Sequence, residues 1–138
     1  MQTKLFSIFL MLTALVAGPA HARQSVPVIN IENALITTSS GKTPTLAQVK
    51  QSIVAAGAAQ GWQLSETADG KLLASLTVRG KHFMTIEIPY TTAQYSLLYK
   101  SSVNLNYEVL EGVPVIHPNY NKWVQTFGNN IRVELSKL

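Results

Sequence analysis

The chain has 138 residues, with eleven Lys and Arg against seven Asp and Glu, three His and no Cys. Without cysteine there is no disulfide framework, no thiolate metal site and no thiol nucleophile. The net charge of +4 is carried by scattered basic residues, so the basic runs that mark nucleic-acid binders are missing.

Residues 1–22 read as a signal peptide: Lys4 makes the start positive, residues 5–18 are apolar, and Ala20-His21-Ala22 is a small-x-small cleavage motif. The apolar run is too short for a membrane-spanning helix, and no Cys follows it to carry a lipid anchor. Cleavage near Ala22 leaves residues 23–138, with ten basic and seven acidic residues, enough chain for one domain with one core. The expected location is therefore periplasmic or secreted. An exported domain without disulfides fits the bacterial periplasm and stands on its hydrophobic core alone.

Residues 23–42 form a flexible or edge segment. Val26, Val28, Ile29 and Ile31 suit a strand, but Pro27 cannot donate to a ladder and confines any strand to an edge. Residues 33–36 are ambiguous and residues 37–42 are loop by composition. A single α+β domain is expected over residues 43–138. Thr45 with Gln48 three residues on is a capping box, and Leu46, Val49, Ile53 and Ala56 mark the buried face of the helix that follows. Gly61 supplies its stop.

From Trp62 the hydrophobic period changes to two. Trp62, Leu64 and Glu66 alternate with Gln63, Ser65 and Thr67, and Asp69-Gly70 signals a two-residue hairpin turn. Leu72, Ala74, Leu76 and Val78 form one face of the next strand, with Leu73, Ser75, Thr77 and Arg79 on the other. After the turn at Arg79-Gly80-Lys81, a third strand over residues 82–88 turns Met84, Ile86 and Ile88 inward and Phe83, Thr85 and Glu87 outward. A fourth over residues 94–100 carries Tyr95, Leu97 and Tyr99. One apolar and one mostly polar face is the pattern of an antiparallel sheet covered on one side. Residues 101–115 read as loop at Asn104, Asn106 and Gly112, with Leu105, Tyr107, Val109 and Leu110 available to pack against the domain.

His117-Pro118-Asn119 opens a C-terminal helix. Proline suits a first turn, and either His117 or Asn119 serves as the cap. Tyr120, Trp123, Val124, Phe127, Ile131 and Leu135 recur at spacings of three and four as its apolar stripe, with Asn121 and Lys122 off it. Gly128 in mid-helix costs about 1 kcal/mol against Ala, which close packing on a strand would justify. The resulting architecture is α+β in two layers: an antiparallel meander of about four strands, with an N-terminal and a C-terminal helix packed on one face.

Gly61-Trp62, Ile86-Glu87-Ile88-Pro89-Tyr90, Tyr95-Ser96-Leu97-Leu98-Tyr99, Ser102, Asn104-Leu105-Asn106-Tyr107 and the run from Ile116 through His117-Pro118-Asn119-Tyr120-Asn121-Lys122-Trp123 to Val124 together resemble a group of small exported proteobacterial proteins and lipoproteins of unknown function. The resemblance covers roughly residues 45–138. It implies export and no particular activity. This chain differs from the lipoprotein members in having no Cys to lipidate, which implies an unanchored form.

Catalytic resources are thin. Beyond the leader there are two histidines, His82 and His117, and one aspartate, Asp69, already explained by a turn. There is no HExxH, no GxSxG elbow and no phosphate-cradling glycine loop, so no catalytic residue, metal ligand or cofactor is assigned. The candidate ligand or partner residues are Ser102, Asn104, Tyr107, His117, Asn119, Tyr120, Asn121 and Trp123. They either line a recognition surface or form an internal hydrogen-bond network around an irregular loop. Leu73, Arg79, Phe83 and Glu87 on the outer sheet face are the second candidate surface. The expected function is that of a non-enzymatic binding or envelope-associated accessory module whose partner is an envelope protein or a small molecule, with nucleic acid excluded. The alternative is a hydrolase or metal-dependent enzyme using His117.

Overall fold

Both helices begin at the caps the sequence offers. The structure, a computed structural model, describes residues 24–138; the expected leader and its cleavage point lie outside the described residues. Helix α1 spans Leu46–Ala58. Thr45 Oγ1 accepts the Gln48 N–H at 3.1 Å while Gln48 Oε1 accepts the Thr45 N–H at 2.9 Å, which satisfies two otherwise orphaned donors. The helix closes in a Schellman motif. Gly61 takes φ +83°, its N–H reaches the Ala58 carbonyl, and the Trp62 N–H reaches that of Gly57. Its packed stripe is Val49, Ser52, Ile53, Ala56 and Gly57. Leu46 was expected on that face and is instead exposed, because the stripe begins one turn later.

Helix α2 spans Pro118–Ser136 and buries Tyr120, Asn121, Val124, Phe127, Gly128, Ile131 and Leu135. The buried stripe therefore includes Asn121, which the pattern placed outside it, while Trp123 flanks it half-buried. Among the described residues no helix is long and apolar enough to cross a membrane.

Among the described residues eight strands pair antiparallel throughout: β1 (Val26–Pro27), β2 (Ile31–Leu35), β3 (Gln63–Glu66), β4 (Leu72–Val78), β5 (His82–Ile88), β6 (Gln94–Val103), β7 (Glu108–Leu110) and β8 (Val113–Ile116). They form a five-stranded sheet in the order β2-β6-β5-β4-β3 and a three-stranded sheet in the order β1-β8-β7. The four-stranded meander is β3 to β6. Residues 31–35 add a fifth strand beside β6, and residues 101–115, which read as loop, complete β6 and build the β7–β8 hairpin. A three-residue strand is too short to show a period. The turn there rests on Glu111 and Gly112, at φ +50° and +79°, which makes a type I′ connection of a Glu that carries no turn signal. The β3–β4 hairpin is also wider than Asp69-Gly70 suggested. The Thr67 N–H donates to the Lys71 carbonyl at 2.9 Å, leaving residues 68–70 as the loop, with only Gly70 at positive φ.

The core lies between the helices and one face of the larger sheet. Leu72, Ala74 and Leu76 on β4 stand opposite Ile88, Ile86 and Met84 on β5, and all six are buried under Val49, Ile53, Val124, Phe127 and Ile131. Two glycines permit the close approach. A Cβ on Gly128 would lie 2.8 Å from Ile31 Cδ1 on β2, and one on Gly57 would lie 2.6 Å from Leu64 Cδ2 and 3.0 Å from Phe127 Cζ. Phe127 cannot easily withdraw, because its ring is stacked on Trp62 with centroids 5.0 Å apart. Gly57→Ala should therefore destabilise the protein by about 1 kcal/mol, overpacking of roughly 1–3 kcal/mol outweighing the helix-propensity gain of about 1 kcal/mol. Denaturant unfolding measures this, and a stabilised variant would show that the α1–α2 contact is looser than described.

Candidate functional site

The candidate residues of the C-terminal half converge where β6, the β7–β8 hairpin and the first turn of α2 meet. His117, extended at φ −58° and ψ 135°, is the helix cap: its Nδ1 accepts the Asn119 N–H at 3.1 Å, with Pro118 at the first helical position. As an acceptor Nδ1 carries no proton, so the neutral ring is protonated at Nε2. The His117 backbone N–H donates to the Leu105 carbonyl at 2.8 Å, which holds the hairpin's lead-in against the helix start.

Asn121, one turn into α2, faces inward. Its Oδ1 accepts the Ile29 N–H at 3.0 Å and its Nδ2 donates to the Pro27 carbonyl at 2.9 Å. Pro27 is the last residue of β1 and Ile29 lies in the link from there to β2. One amide thus ties an N-terminal segment to a residue more than ninety positions away. Asn30 acts similarly from the other side, accepting the Tyr99 N–H at 2.9 Å just beyond the last β2–β6 pair.

Three tyrosines join the elements. Tyr99 on β6 stacks on Tyr107 with centroids 4.3 Å apart and meets Tyr120 of α2 edge-on at 5.6 Å. Such contacts contribute about 0.5–1.5 kcal/mol each beyond burial. A bulge puts Tyr99 there: Ile86 pairs with Tyr99 but Thr85 with Ser101, so Lys100 is the extra residue. The Tyr99 and Ser102 hydroxyls are bonded at 2.9 Å. Asn104, at φ +59°, donates from Nδ2 to the Lys81 carbonyl at 2.7 Å, and its own carbonyl lies 2.8 Å from His82 Nδ1. This clasp closes the β4–β5 turn against the end of β6.

Of the eight candidates, Ser102, Asn104, His117, Tyr120 and Asn121 thus commit their side chains to contacts within the fold, and Asn119 commits its backbone N–H. Tyr107 and Trp123 present surface, Tyr107 at 40 % exposure and Trp123 half-buried with its ring 6.4 Å from that of His82. Trp123 also lines a cleft of about 310 Å³ with Gln60, Trp62, Leu76 and Thr126. His117 lines neither this cleft nor the four others described. Among the described residues no group of three or more His, Asp or Glu side chains could hold a metal ion.

On the outer sheet face, Glu87 is paired with Lys71 at 2.7 Å and lies 3.8 Å from Lys100. The Glu87 carboxylate, with help from Asp69, pushes the Lys71 ammonium above its ordinary pKa. Asp69 is held below the ordinary carboxylate range, first by the Thr67 hydroxyl and then by Lys71. Leu73 is half-buried, Phe83 is 43 % exposed, and Arg79 lies past the end of β4 in the turn, at φ +55°.

Sequence reasoning missed the hairpin itself. Leu105, Tyr107, Val109 and Leu110 offered a way for part of the segment to pack against the domain; Leu105 is buried and Tyr107 stacks on Tyr99, whereas Val109, Leu110 and Val113 are 56 %, 50 % and 47 % exposed. A strand–turn–strand reading of residues 108–116 would have found them, with Glu111-Gly112 as the turn. No protein-family model, no curated protein and no solved structure matches the chain.

Tyr120 carries a prediction. It is fully buried, and its hydroxyl finds no hydrogen-bond partner among the described residues. Burial, reinforced by Tyr99, drives its pKa far above that of a free phenol. Its folded-state pKa is raised, so its contribution is intact below the unfolded value of about 10 and is lost as pH climbs above it, where the unfolded chain ionises first. Tyr120→Phe should flatten the alkaline loss of stability and, by deleting an unpaired buried hydroxyl, raise stability at neutral pH by about 1 kcal/mol. Unfolding followed from neutral to alkaline pH checks both. A variant less stable than wild type would mean that the hydroxyl is bonded in solution.

Proposed function

We propose that the protein is a small exported module of the cell envelope that works by binding rather than catalysis, and that its contact surface is the β7–β8 hairpin with its lead-in, residues 103–113. The observation that carries this reading is where the exposed apolar side chains lie. Of ten large hydrophobic residues exposed among the described residues, five (Val103, Tyr107, Val109, Leu110 and Val113) fall in that stretch. Isolated apolar side chains are ordinary on a surface, whereas clustered ones mark a contact site. Phe83, cross-strand from Val103, extends the patch onto the outer sheet face. The two acidic residues of the hairpin, Glu108 and Glu111, border it.

The rest of the region supports the same reading. The hairpin's lead-in is fixed by the His117 N–H on the Leu105 carbonyl, by buried Leu105 and by Tyr107 stacked on Tyr99, so its exposed residues sit on a fixed platform, as binding loops do. The leader-like first 22 residues support export. A hydrolytic or metal-dependent role for His117 has weaker support, since Nδ1 serves as a helix cap and no described cavity reaches the ring.

Site-specific photo-crosslinking in producing cells tests the assignment. A benzophenone amino acid at Leu110 should give covalent adducts of defined mass. The same probe at Val133, equally exposed on α2 at 52 %, should not. Equal labelling at the two positions, or none at Leu110, would overturn it.

A further inference from the structure

The strand edges of this protein are not equivalent. An edge strand offers unpaired N–H and C=O groups to any extended chain, and soluble proteins usually blunt such edges. Three of the four among the described residues are blunted. β1 has two residues, one of them Pro27. β2 is interrupted between Ile31 and Ala34 by a bulge, with Asn33 at φ +52° and its N–H taken by Ser96 Oγ at 2.9 Å. β3 is polar, and Glu66 at its end is held by Lys50 at 2.7 Å. The fourth edge, β7, has no proline, no bulge and no lysine, and it carries exposed Val109 and Leu110.

Hairpin geometry shows which backbone groups face outward. Leu110 and Val113 flank the two-residue turn and so form a hydrogen-bonded pair. Val109 and Pro114, the next pair, are then not bonded to each other. That is where a proline costs the β7–β8 ladder nothing, and the Pro114 carbonyl indeed faces the other way, accepting the Val28 N–H at 2.9 Å. By the same alternation the N–H and C=O of Val109 point to the open edge, at the middle of a three-residue strand.

We propose that this edge pairs with β7 of a second copy of the chain, antiparallel, about a two-fold axis passing beside Val109. The proposal rests on reading the hairpin as a contact surface and names its occupant. Glu-Val-Leu is self-complementary in this register. Val109 stands opposite the partner's Val109, and Glu108 opposite the partner's Leu110, so no carboxylate faces another. The two valines exchange both backbone hydrogen bonds, and the two three-stranded sheets become one of six strands. Pairing along three residues buries far less than the roughly 1,600 Å² of a standard interface, so the dimer is concentration-dependent, with a dissociation constant on the order of 0.1 mM. Between Asn104 and Asn121 each chain carries two Glu and no Lys or Arg, so two hairpins approach with like charge and added salt should tighten the dimer.

Val109→Cys in the full chain, which has no other cysteine, gives a direct test. A hydrogen-bonded antiparallel pair sets the two Cα atoms about 5.5 Å apart, within disulfide reach. Mild oxidation should give a covalent dimer of Val109→Cys and not of Val133→Cys. Sedimentation of the wild type should show mass rising with concentration and with salt, while Val109→Lys stays monomeric with an unchanged thermal midpoint. A wild type that remains monomeric throughout the series, or Val133→Cys dimerising as readily, would overturn the self-pairing. Adducts to a different envelope component at Leu110 would then leave the binding role standing, with another chain as occupant.

Discussion

The first turn of α2 is where this fold is tied together. Asn121 reaches back to the link between β1 and β2, the His117 backbone N–H holds the lead-in of the β7–β8 hairpin, and Tyr120 packs edge-on against Tyr99 of the large sheet. Segments from both sheets thus meet within five residues, β1 and the β7–β8 hairpin from the smaller and β6 from the larger. The cost of leaving backbone groups unpaired explains the chemistry chosen. Where the chain leaves β1 for the larger sheet, one amide side chain, donor and acceptor at once, takes both the Pro27 carbonyl and the Ile29 N–H.

Beyond that turn, α2 is held by shape. Phe127 sits between Trp62 and the bare face of Gly57, and Gly128 lets the helix rest on Ile31 and Leu97. The polar first turn and the close-packed middle are complementary: packing fixes how deep the helix lies, and hydrogen bonds fix what lies against its start. The hairpin is consequently anchored at its base, through Tyr107 on Tyr99 and Leu105 in the core, while its tip leaves three apolar side chains in water.

Much of this was legible in the sequence. The capping box at Thr45, the period-two faces of β4 and β5 and the proline entry of α2 each carry a local signal strong enough to survive folding. What was not legible was set by long-range partners. Asn121 looks like a solvent-facing residue until the β1–β2 link is known to lie across it. Residues 108–116 look like loop because two short strands and a Glu-Gly turn offer no period to count. The candidate list inherited the same limit: information-rich residues such as Tyr120 and Asn121 turned out to lie inside, and the plain aliphatic residues Val109, Leu110 and Val113 turned out to be the exposed ones.

The division between an anchored base and an unpartnered edge is measurable amide by amide. Native-state hydrogen exchange of dilute wild-type protein should find the Ile29 and His117 amides, bonded to Asn121 and Leu105, protected close to the global unfolding limit, and the Val109 amide exchanging almost freely. Free exchange at Ile29 and His117 would mean that the first turn of α2 does not hold the fold together. Strong protection at Val109 in dilute monomer would mean that the β7 edge is already covered by the chain itself.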